Sequence, residues 1–284
     1  PVQVLKKQLD LSNELFVYLL YYITEVARYA ETSAFNRAAR NLPSNEDLNV
    51  NTKIAGNSLL WEIIESETFK EALEVFKPHH TISKDLLKKT FDALTESDIY
   101  QLYTASDARD KGKEKEIVKF IFTNLMLPNE AFIEHIEEVF HNWDDDADMM
   151  EQLVLNYIQK PAGVNLLEMV GTEKWQFAQS LLETTIDKKE VTADLIKPKL
   201  KNWDAERIAL LDMILMRMGV CELLFFETIP TKVTINEYID LAKDYSTAQS
   251  GQFVNGILDN IHKELTESGK IQKVNFNASN NKKK

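Results

Sequence analysis

Residues 234–265, TINEYIDLAKDYSTAQSGQFVNGILDNIHKEL, carry two amphipathic helical patterns in succession. In the first, Ile235, Tyr238, Ile239 and Ala242 recur at i, i+3, i+4 and i+7. In the second, Val254, Ile257, Leu258, Ile261 and Leu265 keep the same steps. This spacing gathers apolar side chains on one face of a helix, whereas a strand needs strict alternation. Thr234-Ile235-Asn236-Glu237 reads as a capping box, the Thr hydroxyl taking one free N–H and the Glu another. Ser246 to Gln249 repeats that logic before the second helix. A third helix is expected just upstream, from Arg207 to Phe226, with Ile208, Leu211, Leu215 and Met218 on one face. Ile229-Pro230 stops it.

Towards the N-terminus the helical spacing continues. A first helix is expected from about Gln8 to Thr32, with Leu11, Leu15, Tyr18, Leu19, Tyr22 and Val26 as its stripe. Asn41 to Asn51 reads as a loop, because its Asn and Asp side chains compete with helix backbone. Helices follow over Thr52–Lys77, Asp85–Leu94 (capped by Ser83) and Asp98–Ala105. Pro78-His79-His80 interrupts the first two. Lys111 to Leu125 is another, and Pro128 falls where the first turn of the next begins, running to Phe140. Asp144 to Asp148 are expected to cap a helix over Met149–Gln159, and Thr172 to open one through Ile186. Only 8 Gly and 7 Pro punctuate 284 residues, and no strand-like alternation between tight turns is found. The expected class is all-α. A boundary near residues 187–205 divides an N-terminal helical subdomain, 1–190, from a C-terminal one, 191–268. A flexible tail, 269–284, follows. The two subdomains are expected to pack together.

Lys and Arg number 33 and Asp and Glu 45, a net charge of −12. That balance disfavours nonspecific duplex binding, which depends on neutralising phosphates, yet leaves room for a local basic or stacking site. One cysteine, Cys221, excludes a disulfide framework and a multi-thiolate zinc site. No apolar run reaches the ~20 residues that span a bilayer; the best, Leu15 to Ile23, is short and closed by Glu25. No charged leader opens the chain, so a reducing, cytoplasmic setting is expected. Pro1 in place of Met suggests a fragment or a processed product.

Few residues point to chemistry. Asp144, Asp146 and Asp148 fit the first three positions of a calcium loop, but Met149 and Leu155 stand where Gly and Glu are required. A solvated helix start is the better reading. His79 and His80 are adjacent with no Cys partner, and His135, His141 and His262 are isolated. Cys221 sits among apolar residues as a buried thiol. No phosphate-binding loop, dinucleotide fingerprint, nucleophile elbow or paired zinc histidines occur, so no catalytic residue, metal or cofactor is nominated. Gly256 lies inside a helical pattern, where it costs about 1 kcal/mol relative to Ala; a close helix–helix approach is its expected reason. Phe253, at a helix start, suits either the core or the stacking of a base. Asp212, in an apolar helix with Arg217 and Glu222 at five-residue intervals, is either paired in the core or part of a polar strip facing a partner.

The run from Asn202 and Trp203 to Leu265 closely resembles the C-terminal half of NusB, the bacterial antitermination factor family. The resemblance is carried by Asp212, the Ile214-Leu215 and Arg217 stretch, Glu222-Leu223, Ile229-Pro230, Ile235-Asn236-Glu237, Leu241-Ala242-Lys243 and Phe253-Val254-Asn255-Gly256-Ile257-Leu258-Asp259. The preceding residues are similar to the enlarged N-terminal region of NusB-like proteins from some bacterial lineages. The resemblance implies an all-α fold of two packed helical subdomains with neither catalysis nor cofactor. It also implies pairing with a small-subunit ribosomal protein, NusE, and binding of the single-stranded boxA element of nascent ribosomal RNA. That assembly helps RNA polymerase elongate through terminators. By the same resemblance, Asp212 faces NusE, with Arg217 on that surface or in an internal pair. Phe253 is the RNA-facing aromatic, and Gln249, Ser250 and Gln252 share its rim. Asn236 and Asn255 look structural, with Asn255 near enough to the rim to count as an RNA contact.

There are departures. The family's Arg-rich first helix is missing, with only Lys6 and Lys7 near the start. Gln252 occupies a commonly basic position, and Gly251 supplies no side chain. Such losses weaken RNA binding through phosphates. Either the chain is truncated at its N-terminus or it draws affinity from its partner. Two other readings stay open: an accessory domain of an RNA cytosine methyltransferase, and a protein-only adaptor without RNA binding.

Overall fold

A computed structural model describes residues 1–106, 109–200 and 208–274. Among these residues there are fourteen α-helices and no strand, so the class is all-α, as expected. They form two compact units, one of residues 3–171 and one running from Thr172 onward.

The first unit is built on α1 (Val2–Ala38), which extends beyond the expected Gln8–Thr32 at both ends. Leu15 to Leu20 are all buried. The helix is therefore enclosed on every side there, beyond the single stripe its spacing suggested; a helix apolar all round is a core helix. Its buried hydroxyls are partnered, Tyr18 with His135 Nε2 at 3.0 Å and Tyr22 with Thr90 at 3.0 Å. Burial pushes the Tyr22 phenol up to about 12, against a smaller opposite effect of its Thr90 bond.

A short helix, α2 (Asn45–Leu48), interrupts the expected loop, because Ser44 and Asp47 cap each other's backbone. The helix expected over 52–77 is broken instead. A 3₁₀ turn (Lys53–Gly56) leads into α3 (Ser58–Glu65) and then α4 (Glu67–Phe76). Asn57 makes the first break: its side chain accepts from Leu59 N and Leu60 N and donates to Glu114 O at 3.0 Å. Ser66, with extended ψ, makes the second. Ser83 and Ser97 cap α5 (Lys84–Glu96) and α6 (Asp98–Ala105). α7 (Lys111–Phe120) passes into a π-helical turn over Ile121–Met126. Asn129 caps α8 (Glu130–Val139), so Pro128 precedes the cap rather than sitting in the first turn. α9 (Trp143–Gln159) starts well before Met149. Asp144, Asp145 and Asp146 lie in its first turn, where they complement the helix dipole instead of capping it.

The second unit comprises α10 (Thr172–Asp187), α11 (Lys189–Ile196), α12 (Leu210–Phe225), α13 (Thr231–Tyr245) and α14 (Ser250–Glu267). The expected start of α12 at Arg207, and Trp203 before it, lie outside the described residues. α12 touches all four other helices. Its Leu215, Met216 and Val220 meet Tyr238 and Ala242 of α13 and Val254, Ile257, Leu258, Ile261 and Leu265 of α14 in one core. α13 begins just behind Pro230, three residues before the expected cap. Thr234 is therefore inside the helix, and its hydroxyl donates to the buried Glu222 carboxylate at 2.6 Å. Tyr238 donates to the other Glu222 oxygen at 3.2 Å. Beyond α14, Lys273 Nζ returns to the end of α12 and donates to Glu222 O at 2.9 Å and Phe226 O at 2.7 Å. Both carbonyls already accept a backbone N–H, Glu222 O from Phe226 and Phe226 O from Ile229, and Lys273 adds a second donor to each.

The close helix approach expected at Gly256 is made at another glycine. A Cβ on Gly256 would meet nothing within 4 Å, so no helix approaches it. A Cβ on Gly219 would stand 3.0 Å from Leu258 Cδ1 and 3.2 Å from Tyr238 Cδ2. The close approach of α12 to α13 and α14 is thus made at Gly219. Urea denaturation distinguishes the two sites. Gly219→Ala is expected to lose about 1–3 kcal/mol by overpacking. Gly256→Ala is expected to gain about 1 kcal/mol from helix propensity alone. Equal effects would refute the assignment.

Candidate nucleic-acid interface

The turn between α13 and α14 is fixed from below by a buried carboxylate. Asp212, in the first turn of α12, is 5% exposed. Ser246 Oγ donates to its Oδ1 at 2.7 Å, and Ser250 Oγ to its Oδ2 at 2.8 Å. Ser250 Oγ in turn accepts from Thr247 N at 3.1 Å. Ser246 therefore anchors the turn and does not cap α14, whose N-cap residue, Gln249, makes no side-chain cap. Hydrogen bonds to a charged acceptor are worth more than neutral ones, so three helices are joined where the rim begins.

Above this knot lie Gln249, Gln252 and Asn255, all exposed and at three-residue steps along one side of α14. Phe253, one turn on from Gln249, is half-buried and packed against the core. Ser250 is buried, with its hydroxyl engaged below the rim. The structure thus exposes Gln249, Gln252 and Asn255 at the start of α14, sets Phe253 half-buried on the side next to Gln249, and buries Asp212 and Ser250. Arg217 is half-buried on α12, and its Nε is buried with no hydrogen-bond partner among the described residues. Gly251 is buried, and Lys243 of α13 lies across it: a Cβ at 251 would stand 2.7 Å from Lys243 Cγ.

One surface residue escapes the sequence reading. Tyr245, the last residue of α13, is 59% exposed beside the same turn. It stands seven residues after Tyr238, so its spacing reads as core, but the helix ends there and nothing covers it like Tyr238. Its exposed ring shows only once the turn is placed.

Polar side chains of this kind can hydrogen-bond base edges, and an aromatic among them can stack a base. Elsewhere in the unit, burial raises the Cys221 thiol pKa, and its Sγ lies 3.8 Å from Thr184 O. Among the described residues no three of His, Cys, Asp or Glu are placed to hold a metal ion, and no helix is long and apolar enough to cross a membrane.

The NusB family pattern matches residues 130–263, a stretch that includes the whole of this site. The transcription antitermination protein NusB of Bacillus mycoides is 41% identical over 95 residues, which are 34% of this chain and 73% of that protein. This chain belongs to the NusB family. The protein of the same name from Salinibacter ruber is 42% identical over 98 residues, again 34% of this chain. The chain spans 61% of that relative's length. A solved structure of T. maritima NusB is 30% identical, covering 45% of this chain and 86% of that one, with a TM-score of 0.33. The family match begins at α8, so the first 129 residues are an addition to the matched stretch.

If Asp212 holds the turn, losing it should be costly. Asp212→Ala leaves the buried Ser250 hydroxyl and the half-buried Ser246 hydroxyl without their shared acceptor. It is expected to lower the unfolding free energy by about 2–4 kcal/mol. Ser250→Ala should cost about 1–3 kcal/mol on the same grounds. An unchanged urea midpoint for both variants would show that the knot contributes nothing.

Proposed function

We propose that this chain is a transcription antitermination factor that pairs with a NusE-type small-subunit ribosomal protein and binds single-stranded boxA RNA within the RNA polymerase antitermination complex. The observation that carries this reading is the start of α14, where Gln249, Gln252 and Asn255 are exposed and Phe253 is half-buried, inside the stretch shared with the family. Phe253 stacks a base, and the three amides bond exposed base edges. Tyr245 offers a second ring at the same turn. Asp212 and Ser250 act as positioning residues, holding the turn from which the rim projects. Asp212 thereby influences the NusE-facing helices from within, and Arg217 serves that face or an internal contact.

One observation favours a second reading. Residues 244–257 contain no Lys or Arg, and phosphate contacts supply much of the affinity for nucleic acid. A protein-only adaptor would look the same at these positions. Fluorescence anisotropy separates the two, using a labelled single-stranded boxA-type RNA with and without the NusE-type protein at two salt concentrations. Antitermination RNA recognition predicts partner-enhanced binding that weakens with salt. Phe253→Ala should then weaken binding by about 1–3 kcal/mol, the worth of one stacked base, and Phe253→Leu, which keeps apolar packing, should weaken it as well. No binding in any condition by a folded wild-type chain refutes RNA recognition and supports the adaptor.

A further inference from the structure

We infer that Lys243 is the phosphate-contacting cation of this rim, delivered to it across Gly251 from the neighbouring helix. The inference rests on the RNA reading above and adds to it the electrostatic contact that reading lacks. Positions 251 and 252, where the resemblance to the family leads one to expect a side chain and a basic group, hold Gly and Gln. The structure shows what occupies the space instead. The stem of Lys243 runs over Gly251, with Cγ 2.7 Å and Cε 3.4 Å from the position a Cβ would take. A real Cβ at that distance would displace the stem close to its root, so a side chain at 251 and this path for Lys243 exclude each other. The absence of a side chain at 251 is therefore the condition for laying a lysine stem across the start of α14.

The ammonium is available. Its side chain is 58% exposed, and its ion pair, Asp240 at 2.7 Å, is itself 64% exposed. Pairs of this kind contribute little and are screened by salt, so an RNA phosphate can displace the carboxylate. Lysine suits the role: a flexible stem lies along apolar surface while its charge stays in water. A phosphate contact positions a strand without reading its sequence. The division of labour is then between Lys243 for the backbone and the Phe253 rim for the bases.

The test measures anisotropy with the full chain and the NusE-type protein, using two labelled single-stranded RNAs of equal length, one boxA-type and one scrambled. Lys243→Gln is expected to weaken both alike, by about 5-fold at ~0.1 M salt, and to reduce the slope of log K against log[salt] by about 0.7, the single-strand value for one phosphate. Lys243→Arg, which keeps stem and charge, should retain binding. Gly251→Ala should reproduce the Lys243→Gln loss in a chain whose circular dichroism is unchanged. Wild-type binding with an unaltered affinity and salt slope in Lys243→Gln overturns the inference and leaves the RNA reading standing. So does an equal loss in Lys243→Arg, which would mean that packing, not charge, was removed. A wild-type chain that binds neither RNA overturns the RNA reading, and the inference with it.

Discussion

The second unit depends on one buried carboxylate. Asp212 is taken out of water and can stay so only because two serine hydroxyls donate to it. Both serines belong to the turn between α13 and α14, while Asp212 belongs to α12. One side chain thus sets the start of one helix against the junction of the next two. The residues that follow, the exposed Gln249 and Gln252 and the half-buried Phe253, inherit their positions from that junction. Precision at the rim is supplied from the interior.

The same helices are held at their other ends by a matching arrangement. Glu222 accepts from Thr234 and Tyr238, and Lys273 closes the carbonyls beyond it. Burial, and then the adjacent Glu222 charge, keep the Tyr238 phenol well above its ordinary range, so it stays a donor at any working pH. Between these two polar ties, Gly219 lets α12 come close enough for Leu258 and Tyr238 to pack against its backbone. Polar ties at both ends with an apolar approach between them leave the helices little freedom to slide.

What could be read from the chain in advance followed from periodicity. The five apolar residues of α14 were all placed on its buried face by spacing alone, and Ser83 marked the start of α5. The misreadings have a common cause, which is that a local signal was answered by a distant partner. Thr234 has the spacing of a cap, yet it satisfies Glu222, twelve residues away. Asn57 sits in a helical pattern, yet it bonds Glu114 across the fold. Gly256 and Gly219 are alike in sequence terms, and only the neighbours of each distinguish them. At the candidate site, Phe253 stood out at a helix start with either core or surface open to it, and Gln249 and Gln252 were nominated only through the family resemblance. That Ser250 turns inward, that Tyr245 is uncovered and that Lys243 crosses Gly251 all depend on which helix lies beside which. No single-chain pattern encodes that.

The enclosure of α1 sets a timing problem for synthesis. Its partners come late: Tyr18 bonds His135, Ser12 bonds Asp146, and Asn13 bonds the carbonyl of Leu166, separations of 117, 134 and 153 residues. At about 5–20 residues per second, a ribosome needs roughly 8–30 s to travel from Asn13 to Leu166. Throughout that interval α1, the helix with the most buried residues, is synthesised but lacks the last of the partners that enclose it. Its burial requires closing some of the longest loops in the unit, a step whose entropic cost grows with the logarithm of loop length and that makes folding slower. The segment from Leu15 to Ile23 is therefore a natural place for a nascent-chain chaperone to hold this protein until its last partners arrive.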